Sequence, residues 1–525
     1  MKICNCNPRH IHWVGRASRR PLRWLTRAAA SGVAALPYCW LALMLGFAVE
    51  PVCAQSNLPP FRVSLSEAVL MALEHNSAFR VQRLQPQIVR TREDTARAAF
   101  DPVLLGGISR NRQNGPQFAF QAGSNSTAET ARDNTTLQAG VSETLPTGTR
   151  LELSGQTDID HPVYNHTASR IGVSVSQPLL EGAGTEVNLA VLRQTRLDTR
   201  ISVFELRGFA LALVAEVERA CWMYVLNRDQ LGVYRDSVRV AEQQLEETRE
   251  RIRVGKLAEL EAVAAEAEVA SRREGLITSE SQFSAARLRL LRLLNLPQSL
   301  PWTLIPEISE EPVPPGTALE DVETHVTVAL TGRPDLNQAR LALERGELEI
   351  VRTRNGLLPK MDLFVTLGRS GYASSFDNSV EGQEARGYDV GVGLQVAYPL
   401  KNRAASADYR RAVVSRRQVE EALTNLSQLA QEDVRVACVM AEEAMTQVAA
   451  AQVTQRLQER KLEAERSKFK EGKSTSMLVA QAERDLLASK LSTIRAVIAT
   501  LTTRVDLYQK DGSLLARRGL AVPED

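Results

Sequence analysis

Ala220-Cys221-Trp222-Met223 recurs as Ala437-Cys438-Val439-Met440, and Gly255 recurs as Gly472 at the same offset of 217. Each cysteine lies inside a long run of helix-type spacing and stands equally far ahead of the isolated glycine that interrupts it. A second register, offset by 257, aligns Ala72-Leu73 with Ala329-Leu330 and Pro102 with Pro359. The chain therefore reads as two copies of one unit, and an internal repeat of this kind constrains the fold before any single motif does.

In copy one, residues 64–100 carry helical spacing, opened by Ser64 with Glu67 in the pattern of a capping box. From about 102 to 178 the period falls to two. Leu137, Ala139, Val141 and Leu145 alternate with polar or small neighbours, as do Ile171, Val173 and Val175. Such alternation predicts strands with one apolar and one polar face, and Pro146-Thr147-Gly148 supplies a tight turn between two of them. Residues 185–252 return to three-four spacing through Val203, Leu206, Ala210, Leu213, Val217, Ala220, Tyr224, Leu231, Tyr234, Val238, Ala241, Leu245 and Ile252, a coiled-coil seam that only Asn227 and Thr248 break. Gly255 ends this helix and a second returns from about 258. The first repeat thus covers 55–296, with strands at about 102–178 and a helical hairpin at about 185–295.

Pro297, Pro301, Pro306, Pro312, Pro314 and Pro315 mark an irregular linker at 297–316 that no helix crosses. The second repeat, 317–510, reads as a helix at about 317–357, strands at about 361–369 and 387–398, and a helical hairpin at about 402–510 turning at Gly472. Residues 511–525 form a tail. Tyr388, Val390, Val392, Leu394, Val396 and Tyr398 make the cleanest alternating strand. The copies differ between their prolines: the stretch from Pro102 to Pro178 is almost twice as long as that from Pro359 to Pro399. Helices that begin and finish on one side of a barrel require an even strand count between them. Four strands in copy one and two in copy two satisfy this; a long extra rim hairpin is the alternative.

Residues 1–54 read as a signal peptide. Arg9, Arg16, Arg19, Arg20, Arg23 and Arg27 precede the apolar run 36–49, and Val52-Cys53-Ala54 offers small residues for cleavage after Ala54. Cys53 is a candidate lipidation site, though Glu50-Pro51-Val52 is a poor approach to it. The mature chain keeps only Cys221 and Cys438, too few for a disulfide framework, and their repeat-equivalent places favour small buried packing residues. Lys and Arg number 64 against 62 acidic residues, so no basic excess points to nucleic acid. Low aromatic content, 5%, suits long helices better than a thick globular core.

The ordered, doubled motifs resemble the outer-membrane efflux channel family typified by TolC, over about residues 64–510. They are Leu65-Ser66-Glu67-Ala68 with Ala72-Leu73-Glu74-His75-Asn76 and its counterpart Arg333-Pro334-Asp335-Leu336, Phe100-Asp101-Pro102 and Leu357-Leu358-Pro359 entering the strands, Gln177-Pro178-Leu179-Leu180 and Tyr398-Pro399-Leu400 leaving them, and Arg253-Val254-Gly255 and Lys470-Glu471-Gly472 at the turns. The resemblance implies a mainly helical fold with a membrane β-barrel part: a homotrimer whose chains share one barrel in outer-membrane lipid and one hollow α-barrel crossing the periplasm. It implies a passive exit duct of a tripartite efflux or type I secretion system. A periplasmic adaptor, or membrane fusion protein, would dock at the hairpin turns Arg253, Val254, Gly255, Lys256, Leu257, Glu471, Gly472, Lys473 and Ser474 and link the duct to an inner-membrane pump. Relatives carry acidic rings six and nine positions after the second turn glycine. Here Leu478 and Gln481 stand there, with Glu483 nearby, so the expected periplasmic aperture lacks that acidic signature. Two hairpins per chain are usual; a third would widen the trimeric barrel from 12 to 18 strands, and the sequence leaves both counts open.

A coiled-coil scaffold of the cell envelope is the competing reading, but it has no need of alternating strands. Asp158, Asp160, His161 and His166 resemble a metal cluster, yet they fall in an expected surface loop with no recurring ligand spacing. The sequence carries no nucleophile-base constellation and no phosphate-binding loop, so no enzyme activity and no cofactor is expected. Drugs, metal ions and polypeptides are all compatible with it as cargo.

Overall fold

The structure, a computed structural model, describes residues 61–121, 124–161, 166–296, 302–314, 319–381 and 387–520. The expected signal peptide, Cys53 and parts of the linker lie outside the described residues. In chain order the elements are β1 (Phe61–Val63), α1 (Leu65–His75), α2 (Ser77–Arg97), β2 (Val103–Gln121), β3 (Ser124–Thr144), β4 (Arg150–His161), β5 (Thr167–Pro178), α3 (Thr185–Asn188), α4 (Ala190–Arg253) and α5 (Leu260–Leu294). Then come β6 (Pro306–Ile308), α6 (Val322–Gly332), α7 (Pro334–Asn355), β7 (Lys360–Ala373), α8 (Phe376–Glu381), β8 (Gly387–Ala397), α9 (Arg403–Lys470), α10 (Ser476–Lys510) and α11 (Leu514–Arg517).

The 64 residues of α4 make a rod about 96 Å long. Its seam positions Ala210, Leu213, Val217, Ala220, Tyr224, Leu231, Val238 and Ala241 are buried, as three-four spacing dictates. The two seam-breaking residues bond within the helix: Asn227 Nδ2 donates to Met223 O and Thr248 Oγ1 to Gln244 O. Cys221 and Cys438 are free and buried, in separate apolar clusters. Burial pushes the Cys221 thiol up to about 12.

The helices preceding each strand set are not continuous, contrary to the spacing. Ser64 and Glu67 do form the capping box, but α1 stops after one short run. Asn76 turns its side chain inward to the backbone there, accepting from Ala78 N and Phe79 N and so starting α2. In copy two the run begins at Val322, not 317, and breaks at Arg333 ahead of Pro334, which occupies the first turn of α7. Asn76 and Arg333 are equivalent in the register offset by 257, so both copies break at the same place. Each breaking residue also reaches the end of its copy's return helix. Asn76 Nδ2 donates to Leu293 O at 3.3 Å, and Arg333 Nη1 donates to Lys510 O at 3.3 Å. Those helix ends turn left-handed at Asn295 and Gly512. A side chain at 512 would crowd the Arg333 backbone at 3.3 Å, which adds a steric reason for glycine to its positive φ.

The linker is not irregular throughout: β6 pairs in parallel with β1, and the buried Tyr224 hydroxyl donates to Pro306 O at 2.7 Å. Glu310 accepts from Leu65 N, adding a second acidic partner to the start of α1. Nor are residues 511–520 a loose tail. Leu514 and Leu515 enter the main apolar cluster, and Arg518 holds the fully buried Glu218 carboxylate through two bonds of 2.7 and 2.8 Å.

All six long strands form one antiparallel sheet in the order β2-β3-β4-β5-β7-β8. Four come from copy one and two from copy two, an even number in each. One row of paired residues runs Leu104, Val141, Leu153, Val173, Leu367, Val390 across the whole sheet. Leu151, Val175, Val365 and Val392 form the row beside it on the same face. On the opposite face stand Gln138, Gln156, Arg170 and Ser370, with Ser142, Glu152, Ser174 and Thr366 in another row. The period-two pattern in the sequence has become two chemically distinct surfaces.

Glu218 is fully buried and held by Arg518, whose side chain keeps 40% exposure. Glu218→Ala should therefore lower stability by about 2 kcal/mol, less than a fully buried pair because Arg518 can turn to water. Urea unfolding followed by the helical circular dichroism signal measures this.

Candidate functional site

Two regions of the chain carry surfaces that packing within one copy does not use. The first is the apolar face of the sheet. Leu104 is 80% exposed, Ile108 74%, Val392 68% and Val390 60%, so a continuous belt of aliphatic side chains faces outward from every strand. Tyr388 and Tyr398 flank it at the two ends of β8, both exposed. The strand between them spans about 34 Å along its axis, a match for an apolar band of about 25 Å crossed at a tilt. The other face is polar, and Arg170 reaches across Gly368 of β7 to pair with Asp389 of β8. A sheet with lipid chemistry on one side and water chemistry on the other suits a boundary between membrane and water. No described helix is long and apolar enough to cross a membrane.

The second region is the far end of the helical hairpins. Gly255 and Gly472 adopt φ of 73° and 74°. In both, the amide two residues past the last helical residue and the one after it reach back to the helix: Gly255 N donates to Ile252 O and Lys256 N to Arg251 O, Gly472 N to Phe469 O and Lys473 N to Lys468 O. These are paired Schellman turns, and the positive φ is why glycine stands at each. Nothing lies within 4 Å of the space a Cβ would take, so the requirement is conformational.

Around the turns, charge and apolar surface alternate. Val254, Leu260, Val263, Met477 and Leu478 are all more than half exposed. Lys473 pairs with Glu471 at 2.9 Å, Arg253 with Glu250 at 2.7 Å, and Ser474 Oγ donates to Glu465 at 2.9 Å. Leu257 is half-buried and Lys256 exposed. Of the three residues expected at an aperture, Leu478 is exposed, whereas Gln481 bonds along its own helix to Asp485 and Arg484. Glu483 is drawn between helices, 11% exposed, with Arg466 at 2.7 Å and the Gln244 amide, nitrogen turned inward, at 2.8 Å.

Four contacts join the first hairpin to the second here, and nothing in the sequence announced them. The Arg251 guanidinium lies 4.9 Å over the Phe469 ring, Gln244 meets Glu483, Ser476 Oγ donates to Glu261, and Arg484 meets Glu268 at 2.9 Å. Between the hairpins they leave a cleft of about 270 Å³ lined by Gln244, Thr248, Arg251, Phe469 and Glu483, and another of about 320 Å³ lined by Leu260, Ala264, Met477 and Arg484. Among the described residues no group of three or more His, Cys, Asp or Glu could hold a metal ion. The side chain of His161 lies outside the described residues.

Residues 326–513 match the model of the family described as "Outer membrane efflux protein". The match spans most of the second copy, roughly a third of the chain. That match places the chain at the outer membrane, with its long helices on the periplasmic side. No curated protein matches the chain by sequence. Solved structures do match it in fold. The outer-membrane channel OprN superposes with a TM-score of 0.65 at 16% identity, over 85% of this chain and 89% of that one. The Campylobacter jejuni CmeC outer membrane channel gives 0.61 at 14%, over 86% of each chain. The open state of the Neisseria gonorrhoeae MtrE outer membrane channel gives 0.59 at 17%, over 86% and 89%. At these identities the likeness is one of fold.

Hydrogen bonds from Lys468 and Ser474 hold the Glu465 carboxyl below the usual range, and those from Lys461 and Gln481 do the same for Asp485. Groups with lowered folded values stabilise above the ordinary carboxylate range and lose that effect only as pH falls through the lowered value. Amide exchange at the second hairpin end, corrected for intrinsic rates, should stay unchanged from neutral pH to about 5 and accelerate only below about 4.

Proposed function

We propose that the chain is the exit duct of a tripartite efflux or type I secretion system, a homotrimer that passively conducts cargo from a periplasmic adaptor and inner-membrane pump through the outer membrane. The observation that carries this reading is the apolar row through all six strands, set on the same chain as helical rods about 100 Å long. One face of the sheet is suited to hydrocarbon and the other to water, while the rods are long enough to line a continuation of the lumen through the periplasm. A scaffold would gain nothing from such a belt. The matched family and the folds of OprN, CmeC and MtrE support the same reading.

The hairpin ends are proposed as the adaptor's docking surface. Val254, Leu260 and Met477 offer exposed apolar contacts, bracketed by ion pairs that give a polar rim. The sheet and the hairpin turns are separated by the length of the rods, so altering the turns should leave assembly in the membrane intact. Replacing residues 254–257 or 471–474 with Gly-Ser segments should abolish drug or polypeptide export from living cells while heat-modifiable trimers persist. Normal export by both variants would contradict docking at these turns.

A further inference from the structure

Both outer strands of the sheet, β2 and β8, present an unpaired edge in a single copy. Open edges are not tolerated in hydrocarbon, where every backbone group needs a partner. We propose that β8 of one copy pairs antiparallel with β2 of the next, aligning residues 387–397 with 113–103, so that three copies close a barrel of eighteen strands from six each. This rests on the duct reading above and extends it to the width and seam of the pore.

Direction comes first. β2 runs away from the helices and β8 runs back toward them, so neighbouring edges meet antiparallel, like every other pair in the sheet. Stagger comes second. The row that begins at Leu104, next to the start of β2 at Val103, reaches β8 at Val390, well short of its end at Ala397. Measured from the strand ends nearest the helices, the row thus climbs on average by about one position per strand across the repeat. A rise of about 3.4 Å for each strand spacing of about 4.8 Å corresponds to a tilt of about 35°, within the range closed barrels adopt. The sheet already has the shear that closure demands.

That shear fixes the seam. Strand ends level with the helices must meet, which sets Val103 opposite Ala397 and places Leu104 by Val396, Gly106 by Leu394 and Ile108 by Val392. The last three pairs lie on the apolar face, so the belt continues across the join without a change of side. The pairing uses the whole of β8 and stops at residue 113 of β2. Pro116, which lacks an amide hydrogen to donate, falls beyond it. Eighteen strands at this tilt give a backbone diameter of about 34 Å, against about 23 Å for twelve.

Paired cysteines test the seam. Facing residues alternate between close and wide backbone spacing, so two pairs are needed: Gly106→Cys with Leu394→Cys, and Leu105→Cys with Gln395→Cys. The native Cys221 and Cys438 are buried and do not compete. Oxidation in outer-membrane vesicles should convert at least one double variant to a covalent trimer that reducing agent dissolves. If the β2–β3 hairpin instead stood outside a twelve-strand barrel, Leu153→Cys with Leu394→Cys would cross-link and the two seam pairs would not, which would overturn the proposal. Intact trimers with no cross-link at any pair, together with electron-microscope averages of the wild-type protein showing the narrower twelve-strand barrel, would overturn it as well. A wild-type protein that is monomeric and not in the membrane would instead remove the duct reading on which it rests.

Discussion

Backbone hydrogen bonding across the sheet is the constraint on which the rest of this molecule depends. Six strands satisfy one another internally, yet leave the outward edges of β2 and β8 without partners. In water such edges invite aggregation; in lipid they are forbidden. The aliphatic belt suits one face of the sheet to lipid, and in the proposed closure further copies complete the edges. On that proposal the need for assembly follows from the fold of a single chain. Arg170 and Asp389 add a bond on the polar face, tying β5 to β8 over the glycine of β7.

The helices answer to a different requirement. A rod of 64 or 68 residues is not stabilised by propensity alone and needs a neighbour along its length. Partway along the rods, the short helices of each copy break at Asn76 and Arg333 and pin the returning helix, so that duplicated joints grip both hairpins. Around the same waist, β1, β6 and residues 511–520 wrap the rods where Glu218, Tyr224 and Leu514 are buried. Toward the hairpin ends the packing thins to a small cluster of Leu462, Val479 and Ala482 with polar bridges, and Val254, Leu260, Met477 and Leu478 stand exposed at the turns. The chain is thus most firmly packed at its waist and most available to a partner at its tip.

Much of this was legible in the sequence where a single periodicity governs. The alternation from Tyr388 to Tyr398 matches β8 almost to the residue, and the three-four seam of α4 runs to within one position of its end, because burial on one face repeats the same physical demand. Legibility failed where a local bond competes with periodicity. Helical spacing continues smoothly through Glu74-His75-Asn76, but the Asn76 side chain satisfies the backbone better than another helical turn would. In copy two Pro334 was the available signal of the same break. The outer parts of β2 and β3 carry Asn, Gln, Arg and Ser, poor strand formers held in register by the ladder itself, so their length was hidden. The linker strand β6 depends on β1, a partner from the far side of the first repeat. At the hairpin ends, the turn glycines were plain, but the inward course of Glu483 and the bridges from Arg251 and Arg484 arise from the meeting of two hairpins that no local pattern encodes.

In the proposed closure, the chain completes its sheet only as part of a ring in the outer membrane. Native mass spectrometry of the protein extracted in mild detergent from outer membranes tests it most directly. The account predicts an assembly of three chains recovered from that membrane; a single chain, or recovery from the soluble periplasmic fraction alone, would contradict it.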